Sequence, residues 1–486
     1  MIISRLLPGL LLSVGGVFAP IASQAETVPP PDKVLAAMLR ATQYYHETVA
    51  VNGGYVYFYS EDLSRRLGEG VALPDQVWVQ APGTPRVGIA YVEAYLATGK
   101  QPFLSAAQGV AGALLHGQLA TGGWTNSISF TNQDDRAGRY RDGRGRQKGK
   151  DFSTLDDGIT QGALQFLIRL DAATNFENAT LREAIDFALT ATLRAQFPNG
   201  AFPQGWDDQL AVPDTDVSLR ASLPEYDWRT EGRIKEYWDL YNLNDNIAGH
   251  VVDTLRLADL TYGREDCREA LRKLGEFLIL AQLPAPQPAW AQQYRYDMRP
   301  AWARKFEPPA VASVESGDVI EALMKIALHL EDADFLAPVP AALDYLKAAE
   351  LEPRRLARFY ELGSNRPLYM SRRGDVYSLT YDDSDLPSHY GWKTTSPVER
   401  LRNRYKRIIG GETTYSSLFE KKPSITDAAE IIASLDAQGR WITIADSSRL
   451  IGDNKFSEGE RVISSEVFAE NLEILAATYR AAEDLR

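Results

Sequence analysis

Apolar residues recur every three to four positions along most of the chain. Leu181, Ile185, Leu189 and Leu193 stand at intervals of four, which places them on one face of a helix. The pattern begins after a proline-rich segment, Val28 to Asp32, which reads as a linker. It then repeats at long range. Three predicted helices end on Gln118, Gln196 and Gln282, each followed by a turn rich in Gly, Pro and aromatics, and these glutamines are 78 and 86 positions apart. That period suits one pair of long helices with its loops.

The repeated units also open alike. Asp156-Asp157-Gly158 precedes Ile159 to Leu170, Asn244-Asp245-Asn246 precedes Ile247 to Leu260, and Glu315-Ser316-Gly317-Asp318 precedes Val319 to Leu330. Each polar cluster reads as an N-cap. Helix pairs stacked in this way predict a mainly α protein. The expected fold is an α/α toroid, an incomplete barrel of the (α/α)3 type. The inner-helix N-termini would gather at one end, so carboxylates distant in sequence would meet. Cap and ligand therefore both stay open as roles for Asp156, Asp157 and Asp245.

Beyond Leu351 the pattern changes. Arg358 to Leu362 and Pro367 to Met370 read as extended, Val376 to Tyr381 alternates like a strand, and Ser464 to Asp484 returns to helix. The expected organisation is an export segment over 1–25, a linker and first helix over 26–50, the toroid over 51–350, and C-terminal strands, loops and helix packed on it over 351–486.

Composition narrows the class. The 486 residues are 44% hydrophobic and 24% charged, with a net charge of −13, which excludes a disordered chain, a fibre or a disulfide scaffold and argues against nucleic acid as a partner. The N-terminus carries Arg5, an apolar run from Leu6 to about Ala19, and small residues up to Ala25. That is the layout of a secretory signal, so a periplasmic or secreted, monomeric protein with no later membrane span is expected. A single cysteine, Cys267, leaves no internal disulfide.

The stretch from Gln292 to Pro309 mixes arginines, aromatics, amides and prolines without either periodicity. A long irregular loop between scaffold helices suits function, and arginines suit carboxylates. Trp290 and Trp302 could supply flat surfaces for sugar rings; alternatively the loop is a structural plug in which Arg304 pairs with Glu307. Two further basic clusters run over 351–375 and over Arg136 to Lys150. The five histidines show no His-x-x-x-His spacing, which disfavours zinc. Oxygen donors Asp156, Asp157 and Asp245 suit Ca²⁺ instead. There is no phosphate-binding P-loop and no dinucleotide fingerprint.

Five segments together resemble polysaccharide lyase family 10, the pectate lyases with an α/α-toroid fold. They are Thr154 to Thr160, Phe197 to Gln204, Asn244-Asp245-Asn246, Pro300 to Pro309 and Arg358 to Pro367. The resemblance spans about Gly54 to Trp392. It implies β-elimination on a uronate polymer such as polygalacturonate, with Arg304 as the base. It implies that Asp156 and Asp245 help hold calcium and the substrate carboxylate near the base. Arg299, Trp302, Arg358, Arg366, Arg372, Asn246 and Gln292 would contact the acidic polysaccharide. Asp157 departs from the family's pattern, which has Asn at that place. Gly122-Gly123-Trp124-Thr125 replaces a Gly-Gly-Trp-Pro turn, and Ser371-Arg372-Arg373-Gly374-Asp375 replaces Ser-Gly-Arg-Asp-Gly. Two other readings are a toroid glycoside hydrolase using a carboxylate pair and a non-catalytic sugar-binding protein.

Overall fold

The computed structural model describes residues 28–131, 139–144, 152–208, 210, 212–232, 237–420, 423–445, 456–457 and 459–484. The export segment and the basic residues Arg136, Arg146, Lys148 and Lys150 lie outside the described residues.

The helices in chain order are α1 (Pro31–Tyr44), α2 (Thr84–Thr98), α3 (Gln101–Gly117), α4 (Ile159–Ala173), α5 (Ala179–Arg194), α6 (Ile247–Tyr262) and α7 (Glu265–Leu280). They continue with α8 (Ser313–Leu330), α9 (Val339–Ala348), α10 (Val398–Ile409), α11 (Tyr415–Phe419), α12 (Ala428–Ser434) and α13 (Ser465–Asp484). Helices α13, α2, α4, α6 and α8 pack side by side in that order as an inner arc. Each is backed by an outer helix: α1, α3, α5, α7 and α9 respectively. This is an incomplete α/α toroid. On α5 the predicted apolar stripe faces inward, with Leu181, Ile185 and Leu189 buried. Among the described residues, no helix is long and apolar enough to cross a membrane.

Short antiparallel strands stitch each helix pair. A strand entering the inner helix pairs with a strand leaving its outer partner. Gln76–Trp78 pairs with Ser127–Ser129, Ser153–Thr154 with Gly205–Trp206, Tyr241–Asn242 with Gln293–Tyr294, and Val311–Ala312 with Phe359–Tyr360. The remaining pair follows the same rule across the chain ends. Arg461–Ser464, which enters α13, pairs with Phe58–Ser60, which follows α1. One unit of the ring is thus assembled from the two ends of the sequence.

The repeated glutamines prove structural. Gln118 Nε2 donates to the carbonyl of Gly122 at 3.0 Å and of Ala184 on the next outer helix at 2.9 Å. Gln196 does the same to Gly200 and Ala270, and Gln282 to Pro288 and Pro338. Each amide closes its own turn and ties it to the neighbouring unit, satisfying carbonyls that would otherwise be orphaned at the ring's rim.

Several expectations change. Pro31 and Asp32 belong to α1 rather than to a linker, since Pro is tolerated in a first helical turn. Glu315 to Asp318 lie inside α8, which starts at Ser313, because the strand Val311–Ala312 hands the chain to the helix earlier than the polar cluster suggests. The C-terminal part also carries α10 to α12, which the sequence pattern did not reveal. The strand at Val376–Thr380 pairs with Pro367–Arg373, which continues through Phe359–Tyr360 to Val311–Ala312. That sheet brings Arg358 to the entrance of α8, where its carbonyl accepts from the Ser313 N–H. Cys267 is buried in α7, and burial pushes its thiol up to about 12.

Candidate active site

The two acid turns adopt one conformation. In Asp156-Asp157-Gly158, Asp157 has φ 48° and Gly158 φ 68°. In Asn244-Asp245-Asn246, Asp245 has φ 48° and Asn246 φ 55°. Left-handed backbone at non-glycine residues is uncommon and collects at functional sites. Gly158 suits its place: its φ is positive, and a Cβ there would press on the His250 ring at about 3.2 Å. The turns end on Gly158 and Asn246 with no side-chain cap, so Asp156, Asp157 and Asp245 are not caps. The double left-handed turn aims these side chains away from the helix amides and into the space between units.

There the carboxylates of Asp156, Asp157 and Asp245 each place an oxygen within 4.8 Å of the others. Like charges so close resist ionisation. Asp157 lies on the exposed side of the cluster, yet crowding by the surrounding atoms, then the charges of Asp156 and Glu69, push it up to about 6. Burial, contact with Asp156 and the charge of Asp157 raise Asp245 well above the usual carboxylate range. Gln80, just ahead of α2, donates to Asp157 at 2.6 Å and to Glu69 at 3.1 Å. Asn244 donates to Asp245. Asp156 Oδ1 and Asn246 Oδ1 are buried with no hydrogen-bond partner.

Such a donor set fits a hard cation. Ca²⁺ takes oxygen ligands at 2.3–2.6 Å, so two oxygens across the ion lie up to about 5 Å apart. An orphaned buried carboxylate oxygen and mutually repelling acids are what such an ion would relieve.

The positive counterpart is Arg304, whose charge acts on both Asp157 and Asp245. Its Nε donates to Glu307 Oε2 at 2.8 Å and its Nη2 to Glu307 Oε1. Burial opposes the guanidinium's charge, but the Glu307 carboxylate outweighs it and holds Arg304 firmly protonated. Burial likewise works against the charge of Glu307, and the bonds from Arg304 reverse this and keep it below its ordinary range. Gln292 Nε2 donates to Glu307 at 2.9 Å and to Asn244 at 2.6 Å; the Tyr390 hydroxyl donates to Glu307 at 3.1 Å. Arg358 lies over the Tyr390 ring at 4.7 Å, donates to Glu315 at 2.7 Å and extends its field to Asp245. His389 packs edge-on to Phe306 and against Tyr377, whose hydroxyl lies 3.1 Å from Nε2. Burial, then the charges of Arg372 and Arg304, hold its imidazole below the ordinary histidine range.

The structure thus gathers Asp156, Asp157, Asp245, Asn246, Arg304 and Arg358 at one end of the inner arc, with Arg372 alongside through His389. Other expected contacts change. Trp302 is 5% exposed and its indole N–H donates to the Trp228 carbonyl, so it offers no open face to a sugar. Trp290 is fully buried with its N–H on the Leu278 carbonyl. Gln292 is buried and serves Glu307 and Asn244 instead of the surface. Arg299 pairs with Asp297, and Arg366 lies over Tyr381 at 3.5 Å; among the described residues neither shares a partner with the Arg304 cluster. Tyr390, Gln80 and Glu315 were not singled out as parts of a site, because only their contacts distinguish them from other residues of their kind.

No family model matches the chain, and no curated protein matches it. Among solved structures, the chain is similar to a family 10 polysaccharide lyase from Cellvibrio cellulosa, at 19% identity over 65% of this chain and 95% of that one, with a TM-score of 0.46. It is also similar to a D-mannose isomerase, at 13% identity over 94% of this chain and 100% of that one, with a TM-score of 0.45. A cellobiose 2-epimerase from Spirochaeta thermophila is 14% identical over 94% of this chain and 97% of that one, with a TM-score of 0.44.

Proposed function

We propose that this protein is an exported polysaccharide lyase that cleaves a uronate polymer, polygalacturonate foremost, by calcium-assisted β-elimination. The observation that carries the reading is the meeting of the Asp156, Asp157 and Asp245 oxygens within 4.8 Å, under the field of Arg304. Neither a packing role nor a capping role explains acids held together in this way at a cost.

Asp156, Asp157 and Asp245 would hold calcium, which when bound neutralises the uronate carboxylate and so acidifies the neighbouring C5 proton. Arg358 and Arg372 line the same end and attract the polymer's remaining carboxylates. In its neutral form Arg304 would take the C5 proton on Nη1, the guanidinium nitrogen with no bond to Glu307, and become the charged guanidinium. The C5–H electrons form the C4–C5 double bond, the C4–O bond breaks with its electron pair, and the departing oxygen takes a proton from water. Because Glu307 favours the charged guanidinium, turnover by this route belongs to alkaline solution. A signal-like N-terminal segment and a polymeric substrate both suit a protein of the periplasm or the exterior.

One observation favours a second reading. Asp156 or Asp157, each with a carboxylate oxygen within 4.8 Å of one on Asp245, makes with it the kind of close carboxyl pair a glycoside hydrolase uses. Ultraviolet absorbance of an unsaturated product separates the two. The lyase reading expects a rise on polygalacturonate, glucuronan or alginate that chelator abolishes. Saturated products, or no turnover on any of the three, would overturn it.

A further inference from the structure

The resemblance gives Arg304 a role but says nothing of what aims it. An arginine side chain has many rotamers, and a guanidinium presents three nitrogens, so orientation has to come from its surroundings. Here it comes from one buried carboxylate. Glu307 is 0% exposed and accepts from the Arg304 backbone N–H at 3.0 Å, Arg304 Nε at 2.8 Å, Arg304 Nη2, Gln292 Nε2 at 2.9 Å and the Tyr390 hydroxyl at 3.1 Å. Every partner is a donor, so a carboxylate is the only acid-derived group that can satisfy all of them. Gln292, 2% exposed, also donates to Asn244 Oδ1, and Asn244 Nδ2 donates to Asp245. A continuous chain of bonds therefore runs from Tyr390 through Glu307, Gln292 and Asn244 to Asp245.

The geometry points to Glu307 as the positioning residue that turns the Nη1 edge of Arg304 towards the acid pocket, with Gln292 tying that orientation to the placement of Asp245. The inference rests on the lyase reading for its chemistry but not for its geometry. Glu307 touches no substrate; it acts through Arg304. Gln292 serves both halves of the site, which explains why an amide is buried there.

The test uses the full-length protein carrying Glu307→Gln, which keeps shape but offers one acceptor oxygen and an amide that collides with the incoming donors. On polygalacturonate, kcat is expected to fall about 10²-fold while KM stays within about threefold, because a misaimed group loses transition-state contacts and little ground-state binding. Tyr390→Phe, which removes one donor and keeps the ring, is expected to lose less. Gln292→Leu is expected to lower kcat and also to weaken calcium binding, titrated with calcium alone, by about tenfold. Wild-type kcat in Glu307→Gln, or a loss confined to KM, would overturn the proposal. A crystal structure of Glu307→Gln decides it without any activity: a displaced Arg304 guanidinium supports it and an unmoved one sinks it. Wild-type inactivity on every uronate polymer would defeat the lyase reading while leaving that crystallographic result in force. Should Glu307→Gln fail to fold, Tyr390→Phe and Gln292→Leu carry the same readouts.

Discussion

Two features recur around the ring, and they differ in one respect. The glutamines at 118, 196 and 282 close outer-helix turns, and each side-chain amide meets two backbone carbonyls. The acid turns at 156–158 and 244–246 open inner helices, and their carboxylates crowd one another with an oxygen left bare. The first repeat satisfies itself and is architecture. The second leaves a buried carboxylate oxygen without a partner and holds non-glycine residues in the left-handed region, which is why calcium is proposed there. A repeat in a sequence marks symmetry; whether its polar groups are satisfied separates these two repeats.

The largest effect should come from the charged partner of the acid turns. Arg304→Ala is expected to lower elimination by about 10³-fold or more, read as unsaturated product, with no change in the circular dichroism spectrum. Asp245→Asn follows. Calorimetric titration should show calcium affinity weakened by at least about tenfold, because one ligand charge is lost from a site of few donors. On the other side of the comparison, Gln118→Ala should leave turnover untouched. It should cost about 1–3 kcal/mol of stability in denaturant unfolding, since two buried carbonyls lose their donor. Lost activity at unchanged stability in that variant would erase the distinction between the two repeats.

The smallest effect concerns Asp318, in the second turn of α8. Burial, then the charges of Glu315 and Glu321, push its carboxyl up to about 7. An unfolded Asp titrates near about 3.9, so between these values the folded chain holds a proton that the unfolded chain has released. This contribution is present at low pH and is lost as pH rises through about 7. Asp318→Asn should therefore melt about 1–3 °C above the wild type at pH 8 and no higher at pH 4. Equal melting temperatures at pH 8 would show the site to be wetter than its packing implies.

The helix pairs were legible because burying one face forces a period near 3.6 on the residues. The strand at Val376–Thr380 and the helix from Ser465 were legible for the same local reason. Helices α10 to α12 were not. Helix α10 is so polar along Val398–Ile409 that only Val398 and Leu401 are buried, which leaves too thin an apolar stripe to read. The acids Asp156, Asp157 and Asp245 and the arginine at 304 were visible as candidates, and the resemblance named their roles. Trp302 misled, because an aromatic beside arginines reads the same whether its indole is open to a sugar or tied to the Trp228 carbonyl.

The sequence by itself determined the helical repeat, the candidate acids and the irregular loop, because periodicity, charge and the lack of a pattern are local properties. Only the tertiary structure decided that the chain's two ends build one unit of the ring. It alone decided that the polar cluster at Glu315 lies within a helix, and that Glu307, Gln292 and Asn244 join Arg304 to Asp245. Hydrogen bonds and charge–charge repulsion act over a few ångströms of space. They become definite only when packing has chosen which distant residues are neighbours.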